Sequence, residues 1–456
     1  MNVKILKEFD LGMKLGQVKS VQLHISKDEP EYILFGYSES DNIDPWEESL
    51  HFPTGRMNLA LYGEQGQRIW RREFGIGVIP GTWFSPFLAF DLDNDGMDEI
   101  YFVHNTDDKR PFSVLSTVLE KIDPRDGSTM GTWPFPVKNT VMEPLTHSYR
   151  QNMTAGYANG QPVLITAQGT YGDMFLQAYN SDMSLRWERV IGADEPGPRS
   201  SHAISVFDFN EDGVDEVFWG ERLISIDDGH DVVVCTDGEF RGHSDTVLPF
   251  RAPDGNMYIY TCREDKDFVG CWRVVTYDAQ GNVVWRAVQS EVTGYNTNHM
   301  HIGWVMTTKP DYRKIALAVK IEPIAMHIPS ETYLFDALTG EPVTYDFPIP
   351  LHKCVPVDLN GDGFHEFFAE GVLYDTDGKV LCRPGGTKMN LTKLFGYPGE
   401  QLICYYPGET KVRIWGDVDA VDSDYMKKRY ENGYLKHMTQ LTGSGYNSNP
   451  TVTCAM

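Results

Sequence analysis

Asp91-Leu-Asp-Asn-Asp-Gly-Met-Asp-Glu99 recurs with small changes as Asp208-Phe-Asn-Glu-Asp-Gly-Val-Asp-Glu216 and Asp358-Leu-Asn-Gly-Asp-Gly-Phe-His-Glu366. Each copy lies between two short apolar runs, as Phe87-Leu-Ala-Phe and Ile100-Tyr-Phe-Val flank the first. Alternating oxygen side chains closed by Gly, set between two strands, make a hairpin turn whose carboxylates can hold a hard cation. Units of this kind spread along one chain predict a repeat architecture.

A second phrase alternates with the first: a strand, a β-turn and another strand that often ends in Trp. It occurs as Leu61-Tyr-Gly-Glu-Gln-Gly-Gln-Arg-Ile-Trp70, Ala178-Tyr-Asn-Ser-Asp-Met-Ser-Leu-Arg-Trp187 and Thr276-Tyr-Asp-Ala-Gln-Gly-Asn-Val-Val-Trp285. Weaker copies are Ile122-Asp-Pro-Arg-Asp-Gly127, Phe335-Asp-Ala-Leu-Thr-Gly340 and Tyr374-Asp-Thr-Asp-Gly378. Gly supplies the positive φ that such hairpins need. Convincing amphipathic helices are nearly absent. The two phrases together predict a four-strand antiparallel unit, A to D, which is the blade of an all-β propeller. Inner strands are expected to start near Val18, Ser85, Tyr149, His202, His243, His301, His352 and Asn390. Eight starts in 456 residues allow about 57 residues per blade. The first and last starts are the least marked, so seven blades is the alternative. A single domain spanning 1–456 is expected, with 417–456 as a closing tail packed on the ring.

Hydrophobic content of 41% and aromatic content of 12% support a packed core. A net charge of −25 excludes nucleic acid as a partner and disfavours an anionic membrane surface. It leaves room for an anionic sugar held by a local group of Arg, His or metal. No apolar run reaches the length of a membrane span. The N-terminal residues carry no apolar secretion segment, and the seven Cys include no Cys-x-x-Cys pair. A cytoplasmic protein with reduced thiols is expected.

In a propeller, the A–B turns lie on one face and the starts of the A strands on the other. Six residues before the first Asp of each acidic turn stand Ser85, His202 and His352, and an even count keeps one strand orientation. The looser turns Pro253-Asp-Gly and Pro310-Asp-Tyr lead back to His243 and His301. Four adjacent blades are thus expected to present His202, His243, His301 and His352 at one level of the channel. Such a set can hold a divalent metal, calcium or a transition metal. Four separate His bonded to backbone or water is the plainer alternative, and His299 is the next ligand candidate. The B–C loops of this face carry His104, Asn105, Tyr171, Arg222, Arg263 and Lys320, and Tyr149, Arg150 and Arg199 stand beside the A strands. In so acidic a chain this gathering predicts an anion pocket, with Arg222, Arg263 and Lys320 as substrate-binding residues. The turns themselves offer Asp91, Asp93, Asp95, Asp208, Asn210, Asp212, Asp358, Asn360 and Asp362 as structural calcium ligands. They lack the distal Glu of a full helical calcium loop, and Asp bonding to backbone N–H groups closes such turns without an ion.

Ser201-His-Ala-Ile-Ser-Val-Phe-Asp-Phe-Asn-Glu-Asp-Gly-Val-Asp-Glu-Val-Phe-Trp-Gly220, followed by Ile224-Ser-Ile-Asp-Asp-Gly229 and Gly242-His-Ser-Asp245, resembles the core of rhamnogalacturonan lyases. Arg429-Tyr-Glu-Asn-Gly-Tyr and Gly443-Ser-Gly-Tyr-Asn447 are similar to the end of that family. The likeness covers roughly 200–250 well and the tail moderately, and extends to propeller lyases for ulvan and rhamnosyl-glucuronate ends. Gly-His-Ser-Asp stands where the family has Gly-His-Gly-Asp, and the second catalytic His of ulvan-type lyases has no clear counterpart.

The resemblance implies β-elimination at a uronate: neutralise the carboxylate, remove the C5 proton and protonate the leaving glycosidic oxygen. For those three needs, Tyr171 or Tyr149 is expected as base and acid, Arg199 and Arg150 as carboxylate neutralisers, and His104 as their partner. The expected substrate is an anionic, rhamnose-linked oligosaccharide. A non-catalytic propeller that binds glycan or protein is the alternative.

Overall fold

The computed structural model describes the chain except residues 44–53, 109–115, 136–149, 171, 196, 236, 238–239, 241, 265–269, 290–299, 322–328, 345–353, 432 and 448–455, and the side chains of 301, 302, 329 and 330. Eight antiparallel sheets follow one another along the sequence and make an eight-bladed propeller. Blades 1 to 7 occupy 17–73, 87–134, 151–191, 206–234, 244–289, 300–336 and 354–382. The inner strands begin at Gln17, Phe87, Gln151, Val206, Ser244, Met300, Cys354 and Thr387, all close to the starts that the repeat spacing predicts. The acidic turns join strands A and B of blades 2, 4 and 7.

Two blades depart from the plain repeat. Among the described residues, blade 6 has three strands and an isolated bridge between Phe335 and Pro342 in place of a fourth. Blade 8 takes three strands from 387–417 and its outer strand, Val3–Asp10, from the other end of the sequence. That pairing closes the ring, so no strand of blade 8 waits for a partner from outside.

The Trp residues of the second phrase tie blades together. Trp70, Trp187 and Trp285 on the outer strands of blades 1, 3 and 5 donate their indole N–H to Pro124, Ile226 and Ala337 carbonyls in the turns that follow strand C of the next blades. Each turn ends in a glycine at positive φ, Gly127, Gly229 or Gly340, lying against that indole. A Cβ on Gly229 would lie 2.8 Å from the Trp187 ring, so the site needs glycine for space as well as for φ. Gly229→Ala is expected to lower stability in urea unfolding by about 1–3 kcal/mol. Gly255→Ala is the control, because Gly255 also has positive φ but has open space around it. An equal loss in both variants would remove the packing part of the argument.

After Asp417 come two short helices that the sequence pattern did not reveal, α1 (Asp424–Glu431) and α2 (Tyr434–Gln440). Ser423 Oγ accepts the Met426 N–H (3.1 Å), capping α1, and Lys428 and Arg429 in its last turn suit the helix dipole. α1 lies at the acidic-turn end of the ring: Tyr425 stacks on Tyr312, and Arg429 pairs with the buried Glu400. α2 then enters the centre of the ring and buries Tyr434, Leu435 and Met438 in the largest hydrophobic cluster. The tail continues along the inner strands toward the other end. His437 Nε2 meets Ala155 O (2.7 Å), Ser444 Oγ accepts from Met153 N (3.0 Å), and Asn447 Oδ1 accepts from Ile204 N (2.7 Å). Residues 434–447 therefore occupy the centre rather than resting on a face.

Candidate active site

The three acidic turns share one internal geometry. The first Asp, at 91, 208 or 358, accepts the backbone N–H of Gly96, Gly213 or Gly363, each at 2.9 Å. The closing Glu99, Glu216 and Glu366 accept from Leu92, Phe209 and Leu359. The turns are thus closed by their own backbone. Asp91, Asp93 and Asp95 still lie close enough together to ligate a cation. In that blade, however, Lys121 Nζ stands 3.3 Å from Asp93 Oδ2 and 2.5 Å from Glu99 Oε1, so an ammonium already supplies positive charge there.

At the opposite end, two of the predicted histidines meet. His202 and His243 have ring centroids 5.1 Å apart, and both are buried. Glu264 joins them: its Oε2 is 2.7 Å from His243 Nε2 and 3.6 Å from His202 Nδ1. Asp245 Oδ1 is 3.0 Å from His202 Nδ1. His202 leads into the inner strand of blade 4, while His243 and Glu264 flank the first hairpin of blade 5, where Ser244 pairs with Arg263. The Tyr446 ring stands edge-on to His202, and Trp83 packs on both. The Arg150 guanidinium lies 5.0 Å from the Trp83 ring centroid. One ligand atom each from His202, His243 and Glu264 lies within 4.8 Å of the others, a set that can hold a metal ion.

Two imidazoles and one or two carboxylates suit a divalent transition metal better than calcium, whose sites are built from oxygen. Burial and the Glu264 charge push the Asp245 carboxyl well above its ordinary range, with His243 opposing the rise. A cation among these groups would relieve that repulsion, so the residues fit a metal.

Glu264 and Asp245 were not among the predicted ligands. His299 and His352 lie outside the described residues, as does the side chain of His301. Tyr149 and Tyr171 also lie outside them.

Several residues expected on an anion-binding rim are used inside the blades instead. His104 Nε2 meets Glu120 Oε2 at 2.8 Å beside Arg72, which binds the same carboxylate. Burial pushes the Glu120 carboxyl up, but hydrogen bonds from His104, Arg72 and Thr129 together bring it down to about 2. Arg199 donates to the backbone carbonyls of Gly192, Ala193 and Glu195, and Arg222 pairs with Asp231. Arg263 is buried against Glu221, while Lys320 stands 3.7 Å from Glu331. The physical reason is an acceptor within the fold: a carboxylate for His104, Arg222, Arg263 and Lys320, and backbone carbonyls for Arg199. Of the predicted cationic residues, the structure brings Arg150 to the histidine cluster.

Sequence reasoning also missed two amines of the central channel. Lys19, on the inner strand of blade 1, donates to Gly445 O (2.6 Å) in the tail, and Lys388 lies on the inner strand of blade 8. Burial and the neighbouring Lys388 charge bring Lys19 down to about 7, and burial brings Lys388 down to about 8.

The fold and the cluster define an eight-bladed propeller with a metal-competent site at one end of a filled channel. No protein-family model matches the chain. It is 26% identical over 206 residues to the rhamnogalacturonan exolyase YesX of Bacillus subtilis, and 26% identical over 205 residues to that organism's rhamnogalacturonan endolyase YesW. Each match takes in 38% of this chain but only 33% of the relative, so the chain spans about a third of the length of the curated relatives it matches. The YesW crystal structure superposes with a TM-score of 0.77 at 18% identity, covering 98% of this chain and 80% of YesW. A Bacillus licheniformis rhamnogalacturonan lyase gives 0.75 at 17% identity, covering 99% and 82%. The chain is similar in sequence over part of its length to the rhamnogalacturonan lyases YesX and YesW and shares their propeller fold.

Proposed function

We propose that this protein is a carbon–oxygen lyase that cleaves a uronate-containing, rhamnose-linked glycan by β-elimination, leaving an unsaturated uronate. The observation that carries this is the cluster of His202, His243 and Glu264 at the channel mouth of a propeller similar to rhamnogalacturonan lyases. A divalent cation bound there would polarise the uronate carboxylate and make the C5 proton more acidic. His202 and His243 would hold it through ring nitrogens and Glu264 through a carboxylate oxygen, with Asp245 fixing the His202 ring. Arg150 adds positive charge beside the same site, where a substrate carboxylate would gain from it. Tyr149, next in sequence to Arg150, or Tyr171 is proposed to take the C5 proton and return one to the leaving oxygen.

The proposed partner is an anionic oligosaccharide and the proposed compartment the cytoplasm. The six described cysteines form no disulfide, which suits a reducing compartment. No helix among the described residues is long and apolar enough to cross a membrane.

Incubation with rhamnogalacturonan oligosaccharides tests the reaction type. Ultraviolet absorbance from a conjugated uronate is expected to grow with time. Binding without absorbance would favour the non-catalytic alternative. Tyr149→Phe and Tyr171→Phe separate the two proton carriers: the correct one is expected to lower the rate at least about a hundredfold. Normal rates in both variants would remove a tyrosine from the mechanism.

A further inference from the structure

The three residues that can hold a metal do not stand on equal backbone. His243 and Glu264 flank the hairpin of Ser244–Arg251 and Met257–Arg263, and the Glu264 N–H donates to His243 O (3.3 Å). One sheet therefore ties these two ligands to each other. His202 lies outside any strand, before the short inner strand Val206–Phe207 of blade 4. Its neighbour Ser201 bridges Ser244 on the blade 5 side. From the centre of the ring the tail holds it: Tyr446 donates its N–H to His202 O (2.7 Å), and Asn447 Oδ1 accepts from Ile204 N (2.7 Å).

Residues 441–447 are themselves gripped from the first three blades. Lys19 Nζ donates to Gly445 O (2.6 Å), the Phe87 N–H to Gly443 O (3.3 Å) and the Met153 N–H to Ser444 Oγ (3.0 Å). Within the segment, Asn447 Nδ2 donates to Leu441 O (3.2 Å), closing it into a turn. Gly445 is where this turn meets the ligand. It takes positive φ, and a Cβ there would lie 2.6 Å from His202 O, a backbone atom that cannot give way alone. His202 is thus placed against its co-ligands by a segment that reaches it from the far end of the chain.

We propose that residues 441–447 are the positioning element of the metal ligand His202, with Gly445 as the positioning residue, so that metal binding and seating of the tail are linked. The linkage rests on a metal at this cluster and not on the lyase reaction. A metal that gains its third ligand only when the tail is seated favours the seated state by the same factor by which seating favours the metal. Opening of the tail should therefore become rarer as metal fills the site.

Cobalt(II) added to the full chain provides the test, because its visible spectrum reports ligand geometry and its titration reports affinity. With Co²⁺ at about a hundred times its dissociation constant, amide exchange in residues 441–447 is expected to slow at least about tenfold, against a ceiling of about a hundredfold. Exchange in residues 63–66, the turn between the two outer strands of blade 1, should not change. Gly445→Ala should bind Co²⁺ at least about tenfold more weakly and with an altered spectrum. Gly433→Ala is the control for strain, since Gly433 also has positive φ in the tail but has open space around it, and it should keep both. Unchanged exchange in 441–447 while Co²⁺ is bound, wild-type affinity and spectrum in Gly445→Ala, or equal weakening in both variants would overturn the linkage. Should Gly445→Ala not fold, the exchange comparison on wild type decides alone. A wild type that binds no Co²⁺ would remove the metal site and the linkage with it. Linked exchange without any unsaturated product would support the linkage and count against the lyase function.

Discussion

His202→Ala and His243→Ala are each expected to abolish release of unsaturated uronate, with a rate loss of at least about a thousandfold and a matching loss of bound metal. The two rings and Glu264 converge within 4.8 Å, so removing one ligand leaves an incomplete set that cannot be rebuilt by a neighbouring loop. Metal analysis of the purified protein should give about one divalent ion in wild type and much less in either variant. Chelation of wild type should reproduce the loss, and added divalent metal should restore it. Cleavage by His202→Ala at the wild-type rate, with metal absent from both proteins, would remove the metal from the mechanism and leave these residues a structural role.

Glu221→Ala is expected to cost about 3–5 kcal/mol, a large share of the stability of any fold. Glu221 and Arg263 are almost fully buried, with Arg263 Nε 2.7 Å from Oε1 and Nη2 2.6 Å from Oε2. Tyr277 and Ser244 donate to the same carboxylate at 2.6 and 2.7 Å. Removing it leaves the buried Arg263 with Asp237 and the Trp272 carbonyl as its remaining acceptors and takes the acceptor from the Tyr277 and Ser244 hydroxyls. Burial raises the Glu221 carboxyl, but the Arg263 charge and these hydrogen bonds outweigh it and hold it below its ordinary range. A depressed carboxyl contributes stability above its unfolded pKa and loses it as pH falls through the folded one, so this share should fade in acid and be absent in the variant. Urea unfolding across pH reads both effects. As a contrast, Asp227→Ala, which breaks the half-buried surface pair with Arg186, should cost no more than about 1 kcal/mol. A Glu221→Ala loss of the same small size would show that the buried network adds nothing net. Ser244 and Arg263 immediately precede or follow His243 and Glu264, so weaker metal binding is expected in the same variant.

The ring was legible because its signals are local. An Asp that caps a turn and a Gly that must take positive φ leave their mark within nine residues, and three such marks fix the period of the rest. His202 and His243 were legible for the same reason, since each stands a countable distance before a turn. Glu264 was not. The pairs of blade 5 that lie near the turn, such as Leu248 with Tyr260, extrapolate to Ser244 opposite Glu264. A bulge between Ser244 and Thr246 shifts the register by one residue, which moves Glu264 to the level of His243. A bulge has no signature in a single sequence. The charged residues were misread for a different reason. Type and position placed Arg222, Arg263 and His104 at strand ends, but only coordinates reveal that Asp231, Glu221 and Glu120 stand opposite them. The tail helices escaped because α1 buries only Met426 and Arg429, too few for an apolar stripe, while α2 buries Tyr434, Leu435, Met438 and Thr439 within seven residues, too short a run to show a period.

The threading of residues 434–447 through the ring gives the site an order of assembly. Asn447 meets Ile204 across 243 positions of sequence, and Lys19 meets Gly445 across 426. Val3–Asp10 pairs with Lys411–Asp417 across a similar span. Contacts so remote cannot form while the later residues are still being synthesised. The floor beneath His202 is therefore laid last, after seven blades exist. A ribosome-bound nascent chain that presents every blade but not the tail would have a hole where its chemistry belongs.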